Sequence, residues 1–234
     1  MASGPSHALI LADGDPPDVA SLEIAWPGWA SGIDLIVAAD GGYRYANALR
    51  LGPVDLWVGD GDSLSPDGLA QLRRAGVPME LAAVGKAESD TELAVLAAID
   101  RGATRVTVLG AFGGPRLDHA LANALLLGHP RLADRSVVLL APDARVRLLQ
   151  APAPDGGAAS MSLAGREGDL VSLLPLAGEA RGVTTRGLEY PLLDEPLEMG
   201  PARGLSNVRR EATASVSLKR GALLVIETPA TLSG

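Results

Sequence analysis

The feature that most limits the fold is an alternation running through residues 1–150, in which short apolar runs are separated by turns and helix-like stretches. HALILA (7–12), DLIVAA (34–39), VDLWVG (54–59), RVTVLG (105–110) and SVVLLA (136–141) are short and mostly rich in branched aliphatic residues, so they read as buried strands. Helices are predicted between them. Residues 66–75 open on Pro66, which suits a first helical turn. Residues 90–101 follow Ser89, with Glu92 three positions later, the pattern of a capping box. Residues 117–127 run into Gly128 and Pro130, both stop signals. Strands separated by helices pair in parallel and are covered on both faces. The expectation for 1–150 is therefore a three-layer α/β domain around a parallel sheet.

After Leu149 the texture changes. QAPAPDGGAAS (150–160) reads as a linker, and DLVSLLPL, RGVTTRGLEYPL, ATASVSLKR and ALLVIET follow as short strand-like runs without a convincing helix. Residues 158–234 are expected to form a small antiparallel β-sandwich-like domain.

Composition removes several function classes. The chain has no cysteine, which excludes disulfides, thiolate nucleophiles and cysteine-ligated metals. A formal net charge of −8 argues against non-specific binding to nucleic acid or to an anionic membrane. The N-terminus lacks a basic leader and no apolar run reaches spanning length, so a soluble cytoplasmic protein is expected.

In open parallel sheets, ligands bind beyond the carboxyl ends of the strands. Here the strands run into Asp13-Gly14, into Asp40-Gly41-Gly42, into Asp60-Gly61-Asp62-Ser63, and into Gly110 followed by AFGGPRLDH. Taken singly, each acid is explained by turn or cap formation. Taken together they are harder to explain that way, because Asp60 and Asp62 are like charges that are costly to keep ionised without a cation between them. A hard divalent ion such as Mg2+ prefers such oxygens and is usually shared with substrate phosphates. Lys86 lies just before a helix and Asp90 in its first turn, where the carboxylate suits the helix dipole at least as well as a metal. In GAFGGPRLDHALAN, Gly113 and Gly114 make a turn, backbone N–H groups at the helix start suit phosphate, and Arg116 is placed to clamp its oxygens. Asp118 can be the cap, and His119 reads as a helix-surface histidine. The P-loop pattern is absent.

These motifs resemble the thiamine pyrophosphokinase family. The resemblance rests on AADGG (38–42), GDGDS (59–63), KAESDTE (86–92), GAFGGPRLDHALAN (110–123) and RGLSN (203–207), in that order, with VSLLPL (171–176) and GLEYPL (187–192) in the second domain. It implies transfer of pyrophosphate from ATP to the hydroxyl of thiamine, with release of AMP. It implies Mg2+ at Asp60, Asp62 and Asp90, and catalytic roles for Asp62, Asp90 and Arg116. Nucleotide and phosphates would be held by Asp40, Gly41, Ser63, Lys86, Gly113, Gly114, Asp118 and Asn123. Thiamine would meet Ser206 and Asn207 in a site built across a homodimer. Three positions depart from the pattern: Ala87 stands where the family usually has Asp, Pro115 is an extra residue before Arg116, and Val208 replaces an acid.

A D-x-D after a strand also occurs in haloacid-dehalogenase phosphatases and in glycosyltransferases, but neither accounts for GAFGGPRLDH or the β tail. Two alternatives remain open on the residues alone: a related pyrophosphokinase acting on a pterin alcohol, and a non-catalytic regulator that binds thiamine or nucleotide.

Overall fold

A computed structural model describes residues 5–16, 18–83, 85–153 and 156–230. The chain divides into two units, Met1–Pro142 and Asp143–Gly234.

The first unit holds six strands: β1 (His7–Leu11), β2 (Leu35–Ala39), β3 (Leu56–Gly59), β4 (Met79–Leu81), β5 (Arg105–Leu109) and β6 (Ser136–Ala141). Its helices are α1 (Val19–Ala25), α2 (Ala46–Leu49), α3 (Pro66–Arg74), α4 (Asp90–Asp100) and α5 (Leu117–Leu126). Within the unit these strands pair with one another in parallel, in the order β6-β5-β1-β2-β3-β4. The apolar runs dictate this. β1, β2 and β3 are buried along their whole lengths, as strands covered on both faces must be. Leu9, Leu11, Leu22, Ile36, Trp57, Leu72 and Leu109 share one core. The predicted helix signals act where they were read. Ser65 caps α3, with Pro66 in its first turn, and the Ser89 hydroxyl accepts the Glu92 N–H at 3.1 Å to open α4.

Two elements were not read from sequence. β4 has only three residues, with a half-buried to exposed pattern typical of a sheet edge, so it carries no apolar run. The segment Asp40–Tyr45 is a 3-10 helix packed on the ends of β1 and β2.

The second unit contains β7 (Ala144–Ala151), β8 (Ala159–Ala164), β9 (Leu170–Pro175), β10 (Ala180–Arg186), β11 (Glu195–Leu197), β12 (Asn207–Val208), β13 (Thr213–Leu218) and β14 (Gly221–Thr228). The order β12-β9-β14-β7 forms one antiparallel group and β11-β10-β13-β8 another. Leu149, Val171, Leu173, Leu223 and Val225 of the first group share a core with Leu163, Val183, Val216 and Leu218 of the second. The predicted boundary at residue 150 is corrected to 142/143. β7 pairs with β14 from Arg145 to Ala151, and that long ladder commits it to the β unit although its texture continues the first. Of the predicted linker, Pro154 and Asp155 lie outside the described residues, as do residues 231–234 of the predicted second domain.

Candidate active site

Parallel register brings the strand ends to one edge. Leu11 is level with Ala38 on β2 and with Leu109 on β5, and Ala39 is level with Val58 on β3. Asp13, Asp40, Asp60 and Gly110 therefore leave the sheet together. Connections diverge on either side of β1, the switch point at which open α/β sheets form crevices. The loops after β1 and β5 are joined across it. Gly14 N–H donates to Gly110 O at 2.8 Å, and Asp15 N–H to Phe112 O at 3.0 Å. Gly114 N–H reaches the Asp15 carboxylate at 2.9 Å.

Close approach explains the AADGG turn. A Cβ on Gly42 would stand 2.0 Å from Leu11 O, and one on Gly41 would stand 2.4 Å from the Asp13 carboxylate. Only glycine lets the 3-10 turn lie against the end of β1.

A cavity of about 510 Å³ opens beyond these ends. Of the predicted residues, Asp40, Ser63, Lys86, Asp90, Gly113, Gly114, Arg116 and Asn123 line it. Asp13, Ala87 and His119 line it too. Gly41 stands behind the wall against Asp13.

The acids divide into two groups. Oxygens of Asp40, Asp60 and Asp62 all lie within 4.8 Å of one another. Asp40 is 3% exposed, sits at φ 42°, and its Oδ1 has no hydrogen-bond partner among the described residues. Burial pushes its carboxyl above the usual carboxylate range. A hydrogen bond with Ser63 opposes that rise, and the charges of Asp90, Asp62 and Asp60 add to it. Trp57, buried below, donates its indole N–H to Asp40 O at 3.0 Å and fixes the backbone. In the loop, Asp62 N–H donates to Asp60 Oδ1 at 3.1 Å and the Ser63 hydroxyl to Asp62 Oδ1 at 3.0 Å. Asp90, predicted as a metal ligand with Asp60 and Asp62, lines the cavity and forms an ion pair with Lys86 one helical turn away. Asp40, predicted as a phosphate-site residue, stands with the D-x-D pair.

Asp13 and Arg44 form a second ion pair at the cavity, which sequence reading did not include among the site residues. Partial burial raises the Asp13 carboxyl; Arg44 opposes this, while Asp90 and Asp62 reinforce it. Arg44 lies four residues after Asp40, which was the available signal.

At the start of α5, Arg116 makes a two-pronged bond to Asp118, at 2.9 and 2.6 Å, and both side chains are largely exposed. These bonds lower the Asp118 carboxyl to about 2. Arg116 occupies the cap position without a side-chain cap bond. Asn123 is buried and donates to Ala111 O at 2.8 Å, tying α5 to the loop after β5.

The predicted thiamine residues lie in the second unit. Ser206 is at φ 57°, with its N–H on the Ser172 hydroxyl at 3.0 Å. Asn207 accepts the N–H groups of Tyr190 (3.0 Å) and Val208 (2.9 Å) and donates to Tyr190 O at 2.7 Å. Its polar atoms thereby hold the backbone of Tyr190, whose side chain is exposed.

This arrangement offers an oxygen cage for a hard cation, cationic donors for phosphate and a glycine-lined floor. The family model for thiamin pyrophosphokinase, catalytic domain, matches residues 29–139, and that for the thiamin pyrophosphokinase vitamin B1 binding domain matches residues 160–223. No curated protein matches the chain. Among solved structures, a thiamin pyrophosphokinase family protein from Enterococcus faecalis is 26% identical with a TM-score of 0.77, over 95% of this chain and 99% of that one. Thiamine pyrophosphokinase from Bacillus subtilis shares the fold at 20% identity and a TM-score of 0.77, over 96% and 99% of the two chains. Thiamin pyrophosphokinase from Candida albicans shares it at 18% identity and a TM-score of 0.74, over 96% and 89%. No helix among the described residues is long and apolar enough to cross a membrane.

Proposed function

The chain belongs to the thiamin pyrophosphokinase family and forms thiamine diphosphate from thiamine, and on that premise we propose how its residues carry out the transfer from ATP. The observation that carries the reading is the group of Asp40, Asp60 and Asp62, with a buried Asp40 oxygen that lacks a partner among the described residues. Its all-oxygen donor set fits Mg2+, which would neutralise charge on the phosphate oxygens. Asp90 holds the Lys86 ammonium, whose other N–H groups are left for phosphate. Arg116 and the uncapped start of α5 supply further donors.

The reaction needs little covalent work from the protein. The thiamine hydroxyl oxygen bonds to the β-phosphorus and gives its proton to solvent, the bond from that phosphorus to the α–β bridging oxygen breaks, and AMP leaves with that oxygen. Positioning and charge neutralisation supply most of the rate. For thiamine we assign Ser206 and Asn207 of a partner copy, so that a homodimer carries two equivalent sites. Asn207 acts there by holding Tyr190, an exposed aromatic suited to a cationic ring system. ATP as donor supports a cytoplasmic location.

The test is product analysis with ATP, Mg2+ and thiamine. One AMP and one thiamine diphosphate per ATP consumed are expected. ADP with thiamine monophosphate would overturn the reading, and so would AMP formed equally well without thiamine.

A further inference from the structure

Trp57 has the largest side chain among the fully buried ones. It stands on β3 two residues before Gly59, so both belong to one face of the strand. Ala38 is level with Trp57 and Ala39 with Val58, which brings Asp40 out of β2 beside Gly59. The indole reaches both strand ends. Its N–H donates to Asp40 O at 3.0 Å. Its six-membered ring runs on against the D-x-D loop. A Cβ added to Gly59 would stand 2.9 Å from ring Cζ2 and 3.0 Å from the Asp40 Cβ, and one added to Gly61 would stand 3.8 Å from Cη2. Gly59 and Gly61 flank Asp60, and Gly61 precedes Asp62. One rigid side chain thus lies against the backbone of every segment that presents a carboxylate to the cluster.

Those segments need support. Asp40 sits at φ 42°, an uncommon conformation for a residue other than glycine, and the three like charges repel. Arg44 and Ser63 reach the loop from its exposed side, through Ser63 O and the Asp40 carboxylate. Trp57 is the support from the core. We propose that Trp57 is the positioning residue of the cation site: its N–H fixes the Asp40 backbone, its ring fixes Gly59 and Gly61, and together they set the distance between Asp40 and the D-x-D pair. This rests on the reading of the cluster as the Mg2+ site. The side chain suits the task, because a buried indole N–H needs an acceptor and the ring is stiff. The site needs the precision, because Mg2+ takes its oxygens only in near-ideal octahedral geometry, whereas Ca2+ accepts a looser cage.

Trp57→Phe keeps an aromatic ring and removes the donor to Asp40 O. Binding of Mn2+ is measured from its electron spin resonance, and Mg2+ and Ca2+ are measured by competition. In the folded variant, Mg2+ affinity is expected to fall roughly 2- to 10-fold, the worth of one hydrogen bond, with Ca2+ affinity changed less than about twofold. The Mg2+ concentration for half-maximal rate should rise by the same factor, and kcat at saturating Mg2+ should stay near wild type. Unchanged Mg2+ affinity would overturn the proposal, and so would equal losses for Mg2+ and Ca2+, which would mean a general loosening of the fold. The wild-type chain supplies a reading that does not depend on the folding of this variant. Labelled with 5-fluorotryptophan, its three tryptophans give three fluorine resonances, with Trp26 and Trp29 assigned by Trp26→Phe and Trp29→Phe. The Trp57 resonance is expected to move on titration with Mg2+. A Trp57 resonance that stays still while Mn2+ binds would overturn the proposal and leave the cation site standing. A wild-type chain that binds no divalent cation would overturn both.

Discussion

Each unit gathers charge, but in opposite ways. In the second unit, Glu227 is 2% exposed and takes bonds from Arg145 (2.8 and 2.7 Å), Arg147 (2.7 Å) and Arg209 (3.3 Å). Arg209 is itself buried, donates to Leu163 O, and has its pKa lowered chiefly by burial. That cluster is closed, since the carboxylate has its cations within the chain. In the first unit, Asp40, Asp60 and Asp62 crowd together, and the Lys86 and Arg44 cations pair with Asp90 and Asp13 instead. That cluster is open. The closed cluster spends its charges on holding the fold, whereas the open one keeps repulsion in reserve for a ligand of the opposite sign.

The comparison breaks most visibly at Glu227. Glu227→Ala strands three guanidinium groups with little solvent, and removing one partner of a buried ion cluster costs about 3–5 kcal/mol. A fall in Tm of roughly 2–4 °C per kcal/mol is expected in calorimetry. Turnover per folded molecule should not change. A Tm within a degree of wild type would mean that the cluster is not structural.

Asp62→Asn should do the reverse. Loss of several kcal/mol of charge stabilisation predicts turnover lowered on the order of 10²–10³-fold, with Tm preserved and a higher Mg2+ concentration needed for the remaining rate. Wild-type turnover at limiting Mg2+ would remove Asp62 from the cation site.

Asp40→Asn sharpens the contrast because its two effects have opposite signs. Asn also tolerates the positive φ, and it removes a charge that is costly to bury. The metal-free protein should gain about 1–3 kcal/mol, seen as a higher Tm, while the rise in Tm on adding Mg2+ disappears. The pH dependence follows from the raised Asp40 and Asp13 carboxyls. When a folded-state pKa lies above the unfolded value, the folded chain binds the proton more tightly. That stability is fully present below the unfolded value and is lost as pH rises through the folded one. Acidification from neutral pH toward those raised values should therefore steady these two groups in the metal-free protein and shrink the Mg2+-induced rise in Tm. A rise that grows on acidification would contradict this.

Arg116→Ala should have the smallest effect on stability. Exposed ion pairs contribute about 0–1 kcal/mol, so Tm should hardly move. Charged hydrogen bonds to phosphate are worth about 1.5–3 kcal/mol, so KM for ATP should rise roughly 10- to 100-fold with thiamine affinity unchanged. An unchanged KM would mean that Asp118 keeps Arg116 out of the reaction.

The open cluster was partly legible in the sequence and the closed one was not. The D-x-D pair shows because its members are two residues apart, and the strand ends show because apolar runs stop there. Asp40 joins the D-x-D pair through parallel pairing of β2 and β3, which no local pattern states. The ion pair of Asp90 with Lys86 was not read, although the two stand one helical turn apart. Glu227, Arg145, Arg147 and Arg209 come from two strands and a bridge, and each alone reads as an ordinary surface charge. β4 and the unit boundary were missed for a related reason. Edge pairing and ladder membership are decided by the partner strand, whereas the linker-like texture at 150–160 is only local.

The turn of Gly41 and Gly42 against β1 has a consequence for how this sequence can drift. A side chain at Gly42 would collide with the backbone of β1, which no rotamer could relieve, and one at Gly41 would meet the Asp13 carboxylate. In a saturation library selected for growth on thiamine, position 42 should return glycine alone, in every genetic background. Ala87 lies in the same cavity wall on a short loop before α4, and it should return many residues. Descendants of this chain could then retune the pocket through position 87 and its neighbours, while the AADGG turn stayed fixed beneath them.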